Sequence, residues 1–97
     1  MKLHQKGYLL VALNKTAGLW DGDLAAMTMR AYGQSGDYWE KSVRVALEEL
    51  AAAGLIARLQ SKLAHAGADT RLSFQYAVTD FGRQRMKDTG LMDEVIS

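Results

Sequence analysis

The hydrophobic pattern changes its period at Gly54, and that change restricts the chain to a fold in which a helix feeds directly into a β-hairpin. Before it, Trp39, Val43, Ala46, Leu47 and Leu50 recur at i, i+4, i+7, i+8 and i+11, one continuous stripe of an α-helix. After it, Ala57, Leu59 and Leu63 alternate with Arg58, Gln60 and Lys62, and Leu72, Phe74, Tyr76 and Val78 alternate with Arg71, Ser73 and Gln75. A period of two is that of a strand with one face turned inward. Gly54 suits the left-handed residue that ends a helix, and Leu55 can fold back onto the last turn. Residues 64–70 are small and turn-forming, so the two strands are expected to form a long antiparallel hairpin with an exposed, mobile tip.

Upstream, residues 3–14 read as a helix that is apolar around much of its circumference, through Leu3, Tyr8, Leu9, Leu10, Val11 and Leu13. Such a helix is buried on both sides, centrally or against a partner subunit. Two glycines interrupt residues 16–22, and Asp21 or Asp23 can cap a second helix over 23–32 with Leu24, Met27 and Ala31 inward. Gly33-Gln34-Ser35-Gly36 is a four-residue break, the spacing of two short helices joined by a tight turn. Asp37 with Glu40 three residues on reads as an acidic capping box opening the third helix, where carboxylates suit the positive helix end. Trp39 is assigned to the core by its phase, Met27 and Met29 to core packing, and Trp20 to an interface or core lid. Thr79 can cap a last helix over 80–88 containing Phe81 and Met86, closed by Gly90, and the tail from Leu91 is apolar enough to dock. The fold class is α+β, mostly α: a three-helix core, a two-stranded hairpin and a short C-terminal helix. With 97 residues it forms one domain, 1–97, with no internal repeat.

The run Ser42-Val43-Arg44-Val45-Ala46-Leu47-Glu48-Glu49-Leu50-Ala51-Ala52-Ala53-Gly54-Leu55-Ile56 resembles the end of a recognition helix running into the first strand of a wing. Tyr76-Ala77-Val78-Thr79-Asp80-Phe81-Gly82-Arg83 is similar to the Tyr-x-Leu-Thr-x-x-Gly motif that closes the wing in many such proteins. With the tight turn, these make the chain resemble winged helix-turn-helix regulators of the MarR and PadR kind. The resemblance implies a double-stranded DNA-binding transcriptional regulator, a repressor binding a palindromic operator as a homodimer. The third helix then enters the major groove and the wing lies on the backbone or in the minor groove. On that reading Arg44 donates two hydrogen bonds to guanine, Ser42 contacts a phosphate or base and Val45 touches a thymine methyl. Tyr38 and Lys41 lie nearer phosphates, Gln34 and Ser35 sit in the turn, and Arg58, Lys62, His65 and Arg71 neutralise phosphates from the wing. The first helix and the segment from Phe81 to Ile96 are the expected dimer surfaces, because they hold more apolar residues than a lone domain should expose.

Charge bears on both readings. The net charge of +1 is low for a nucleic-acid binder, and Asp37, Glu40, Glu48 and Glu49 make the third helix acidic, so repulsion is expected unless these carboxylates are paired or point away. The alternative is a winged helix used as a protein-protein interaction module: an anti-repressor, a phage inhibitor or an adaptor of the transcription machinery that does not bind DNA. Enzymatic function is not expected, since the sequence has no Gly-rich phosphate loop, no nucleophile elbow and no pair of carboxylates flanked by a basic partner in a recognisable motif. Cysteine is absent and His4 and His65 lack ligand spacing, so neither a metal nor a cofactor is expected. The longest apolar stretch, residues 8–13, is far short of the roughly 20 residues of a membrane span, and the expected location is the cytoplasm of a bacterium or the host of a phage.

Overall fold

The computed structural model describes residues 4–66 and 69–93, apart from the side chains of residues 65, 66, 69 and 93. The expectations for Leu3, for the hairpin tip at Gly67 and Ala68, for the His65 side chain and for the tail from Glu94 lie outside them. The elements follow as α1 (Gln5–Asn14), β1 (Leu19–Trp20), α2 (Asp21–Ala31), α3 (Asp37–Ala52), β2 (Ile56–Ala66), β3 (Asp69–Val78) and α4 (Asp80–Asp88), with a 3-10 turn at Leu91–Asp93. This is the expected order with one addition. The sheet has three strands, not two, in the antiparallel order β1-β3-β2, with Leu19 opposite Tyr76 and Trp20 opposite Gln75. A two-residue strand has no periodicity to detect, because one inward and one outward residue look the same in any conformation.

The all-round apolar α1 is the centre of the core. Tyr8, Leu9, Leu10, Val11, Ala12 and Leu13 are all buried, against Leu24 and Ala25 of α2, Val43, Ala46, Leu47 and Leu50 of α3, and Ile56, Tyr76, Val78 and Met86. The described apolar residues of α1 are thus buried within one chain. Tyr8 and Tyr32 meet edge to face at 5.7 Å, and burial together with Tyr8 raises the Tyr32 phenol above its ordinary pKa.

Three local readings are revised. α3 is capped by Gly36 rather than by Asp37, and no side chain bonds its first amides, because Glu40 is drawn to arginines instead of reaching back. Trp39 is only half-buried and stands edge to face with Tyr38 at 5.0 Å, since the first turn of α3 projects beyond the core. The strand alternation breaks at a bulge between Arg58 and Gln60, where Leu59 has no cross-strand partner. Leu59, Leu63 and Leu72, expected to point inward, are 53%, 68% and 49% exposed, for the hairpin extends past the helices that would cover it. Its strands also pair farther than expected, as far as Ala66 opposite Asp69.

The junction between α3, the hairpin and α4 explains the closing motif. Gly54 takes the left-handed conformation expected of it, with φ +80°, and the Leu55 amide donates back to the Leu50 carbonyl at 3.0 Å. The Thr79 hydroxyl accepts from the Gly82 amide at 2.9 Å and donates to the Gly54 carbonyl at 2.7 Å, tying the start of α4 to the end of α3. Gly82 is buried against the Leu55 backbone, and a Cβ there would collide with the Leu55 carbonyl oxygen. The glycine of the motif is thus required by contact rather than by its own dihedral angles. Gly82→Ala is expected to lower unfolding free energy by about 3 kcal/mol, a loss of the size seen when a rigid backbone contact is forced apart. Chemical denaturation measures it, and a loss below about 0.5 kcal/mol would show that α4 can shift freely.

Candidate nucleic-acid interface

The candidate surface is the outer side of α3 together with the β2–β3 hairpin. Burial of Val43, Ala46, Leu47 and Leu50 leaves Tyr38, Lys41 and Val45 exposed on the far side of the helix, with Ser42 half-exposed between them. These four occupy the first three turns. Gln34 and Ser35 precede them in the connection from α2, Ser35 exposed and Gln34 half-buried. In the fourth turn the exposed stripe becomes acidic, with Glu48 and Glu49, and Glu49 lies 3.5 Å from the Lys6 ammonium of α1.

Arg44 does not share that surface. It lies to the side of α3, where its Nη1 donates to Asp21 Oδ2 at 2.7 Å and its Nη2 to Glu40 Oε1 at 3.0 Å. Its side chain is 21% exposed and Asp21 only 4%. Asp21, expected as a helix cap, makes no capping bond. It is instead the buried acceptor of three donors from two elements: Arg44 of α3, and the Ser73 hydroxyl at 2.6 Å and the Phe74 amide at 3.3 Å, both of β3. From Glu40 the chain of charges continues to Arg71 Nη2 at 2.9 Å. Asp21, Arg44, Glu40 and Arg71 therefore form one line joining the head of α2, the side of α3 and the wing. A guanidinium so held reaches a guanine only by leaving a nearly buried carboxylate unpaired, at a cost of several kcal/mol. The structure thus moves Arg44 from reader to scaffold.

On the wing the cations keep exposure while resting on aromatic rings. The Arg58 guanidinium lies 4.0 Å from the centre of the Phe74 ring and donates to the Tyr76 hydroxyl at 3.2 Å. Lys62 stands 4.1 Å over Trp20. Trp20 is half-buried, so it serves as a platform for Lys62 more than as a core lid. These contacts fix the direction of the charges without neutralising them. Asp21, Ser73 and Trp20 are the residues that sequence reasoning did not place here. Asp21 and Ser73 are 52 positions apart, and no spacing rule links them.

The geometry defines a class: a helix-turn-helix whose second helix is laid open on one side and flanked by a β-hairpin wing. A solved structure of that class to which the chain is similar is PadR of Bacillus subtilis in complex with operator DNA, with a TM-score of 0.61 and 22% identity over 95% of this chain. The likeness shows that the fold is the PadR-like winged helix-turn-helix. The match covers 49% of the PadR chain, so the present chain spans about half its length. No family model and no curated protein sequence matches. No group of three or more His, Cys, Asp or Glu among the described residues is placed to hold a metal ion, and no described helix is long and apolar enough to cross a membrane.

The charge line has a measurable weight. Asp21→Ala leaves Arg44 with one carboxylate and the Ser73 hydroxyl without its acceptor, and is expected to destabilise the fold by about 3 kcal/mol. Thermal unfolding monitored by circular dichroism measures it. A loss under about 1 kcal/mol would mean that water replaces the carboxylate and that the network does not hold α2, α3 and the wing together.

Proposed function

We propose that this chain is a double-stranded DNA-binding transcriptional regulator that sets the first turns of α3 in the major groove and the hairpin wing on the adjacent backbone. The observation that carries the reading is the sorting of charge. Glu40 is paired with Arg44 and Arg71 and Glu49 lies 3.5 Å from Lys6, whereas Lys41, Arg58 and Lys62 stay exposed; Asp37 and Glu48 are the exposed carboxylates of α3 that form no ion pair among the described residues. The repulsion that the acidic composition of α3 suggests is thereby reduced at Glu40 and Glu49, Glu48 lies farther along the helix, and Asp37 is left in the first turn, one helical turn from Lys41. The fold match to a protein crystallised with operator DNA supports the same partner. Tyr38, Lys41, Ser42 and Val45, with Gln34 and Ser35 beside them, are the proposed groove contacts, and Arg58, Lys62, His65 and Arg71 the proposed wing contacts.

A domain of this size reads few base pairs, so we further propose a repressor acting as a homodimer on a palindromic operator, with half-sites about 34 Å apart. With α1 internal, the pairing surface falls to α4 and the turn after it, where Phe81 and Met92 are 56% and 42% exposed. Phe81→Glu is expected to yield a folded monomer in sedimentation velocity, and a dimer persisting in that variant would place the contact elsewhere. The second reading, a protein-binding module, is favoured by Leu63 and Leu72, which are cross-strand partners and both exposed on the wing.

Fluorescence anisotropy of a labelled random duplex separates the two. Affinity is expected to fall about a hundredfold between about 50 and about 200 mM salt if roughly four phosphates are contacted. Lys41→Ala and Lys62→Ala should each reduce the slope of log affinity against log salt by about one. No binding at low salt would end the DNA reading and leave the protein-binding module in its place.

A further inference from the structure

We propose that Val45 reads the 5-methyl group of thymine, so that the half-site is specified by thymine methyls rather than by an arginine-guanine pair. The inference rests on the DNA-binding reading and deepens it. In the major groove each base pair shows a distinct edge, and guanine is recognised above all by a free arginine, or a lysine, bonding O6 and N7, whereas thymine shows O4 and a methyl. α3 contains a single arginine, Arg44, and that side chain is held by Asp21 and Glu40. Moving it outward would leave the Asp21 carboxylate, 4% exposed, without its charge partner.

What remains on the open side is Tyr38, Lys41, Ser42 and Val45. Lys41 lies a turn nearer the start of the helix and carries a point charge on a flexible stem, which suits a phosphate, and Ser42 can bond either a base or a phosphate. Val45 is different in kind. It is an aliphatic side chain 53% exposed on a helix whose other aliphatic residues of comparable size, Val43, Leu47 and Leu50, are buried. It lines an open groove of about 530 Å³ between α3 and the start of α1, together with Tyr38, Lys41, Ser42, His4 and Lys6. The single carboxylate lining that groove, Glu49, is paired with Lys6. A methyl brought into this concave surface meets Val45 while Lys41 and His4 face the strand that carries it. Burying a β-branched side chain on a methyl is favourable and adds little entropy loss, because valine has one restricted χ1 angle.

The test begins with selection of bound sequences from a pool of random duplexes about two helical turns long, using the full chain. The selected duplex is then remade with each thymine replaced in turn by deoxyuridine, which removes the methyl and leaves the Watson–Crick and O4 groups intact. At one or two positions per half-site the replacement is expected to weaken binding about three- to tenfold. Val45→Ala should bind the thymine and uracil duplexes equally at those positions, and Val45→Thr, which keeps a γ-methyl, should retain most of the difference. Because Val45 is exposed, both variants are expected to match the wild-type circular dichroism spectrum. Binding that is indifferent to uracil, or a thymine preference that survives in Val45→Ala, would overturn the methyl reading and leave DNA binding standing. Failure to enrich any sequence, with no salt-sensitive binding, would remove the DNA reading itself.

Discussion

A single carboxylate holds the arrangement together. Asp21 sits where β1 ends and α2 begins, nearly excluded from solvent, and accepts hydrogen bonds from Arg44, Ser73 and Phe74. A charge in that position is tolerable only because every approach to it is a donor: a guanidinium, a hydroxyl and an amide. The same requirement makes it directional. The head of α2, the side of α3 and the middle of β3 have to meet at hydrogen-bond distance, which sets the angle between the helix pair and the wing. Apolar packing of the core brings those elements together, and the hydrogen bonds to Asp21 add a directional constraint where they meet.

The placement of this carboxylate decides how charge is distributed over the surface. Arg44 is drawn inward, Glu40 follows it, and Arg71 is brought from the wing to Glu40. The open stripe of α3 carries a tyrosine, a lysine, a serine and a valine in its first three turns, beside the exposed Asp37 and ahead of Glu48 and Glu49, and the wing keeps Arg58 and Lys62 braced on Phe74 and Trp20. A net charge of +1 does not describe such a surface, because an approaching phosphate meets the local placement of Lys41, Arg58 and Lys62 and not the sum over the chain.

Most of the fold was legible in the sequence because its signals are local. The stripe from Val43 to Leu50, the Gly54 stop, the Thr79 cap and α4 over Asp80–Asp88 each follow from residues within a turn or two of one another. The readings that failed are those that depend on what else the fold places beside a residue. Glu40 would complete a capping box were it not beside two arginines, and the hairpin would keep its alternation were Leu59 not left unpaired in a bulge. Leu63 and Leu72 fit the strand pattern, yet the pattern carries no information on how far the helices reach to cover them.

The candidate site divides in the same way. The sequence by itself determined which element would be laid open and which way it would face, since burying one stripe of α3 necessarily exposes the opposite one, with Tyr38, Lys41 and Val45 on it. Only the tertiary structure decided which of the neighbouring charges remain available. The partner of Arg44 lies 23 positions away and the donors that complete Asp21 lie 52 and 53 positions away. Periodicity reports the side of an element on which a residue lies, whereas an ion pair depends on where the chain has brought a second element, and that is set by packing of the whole core.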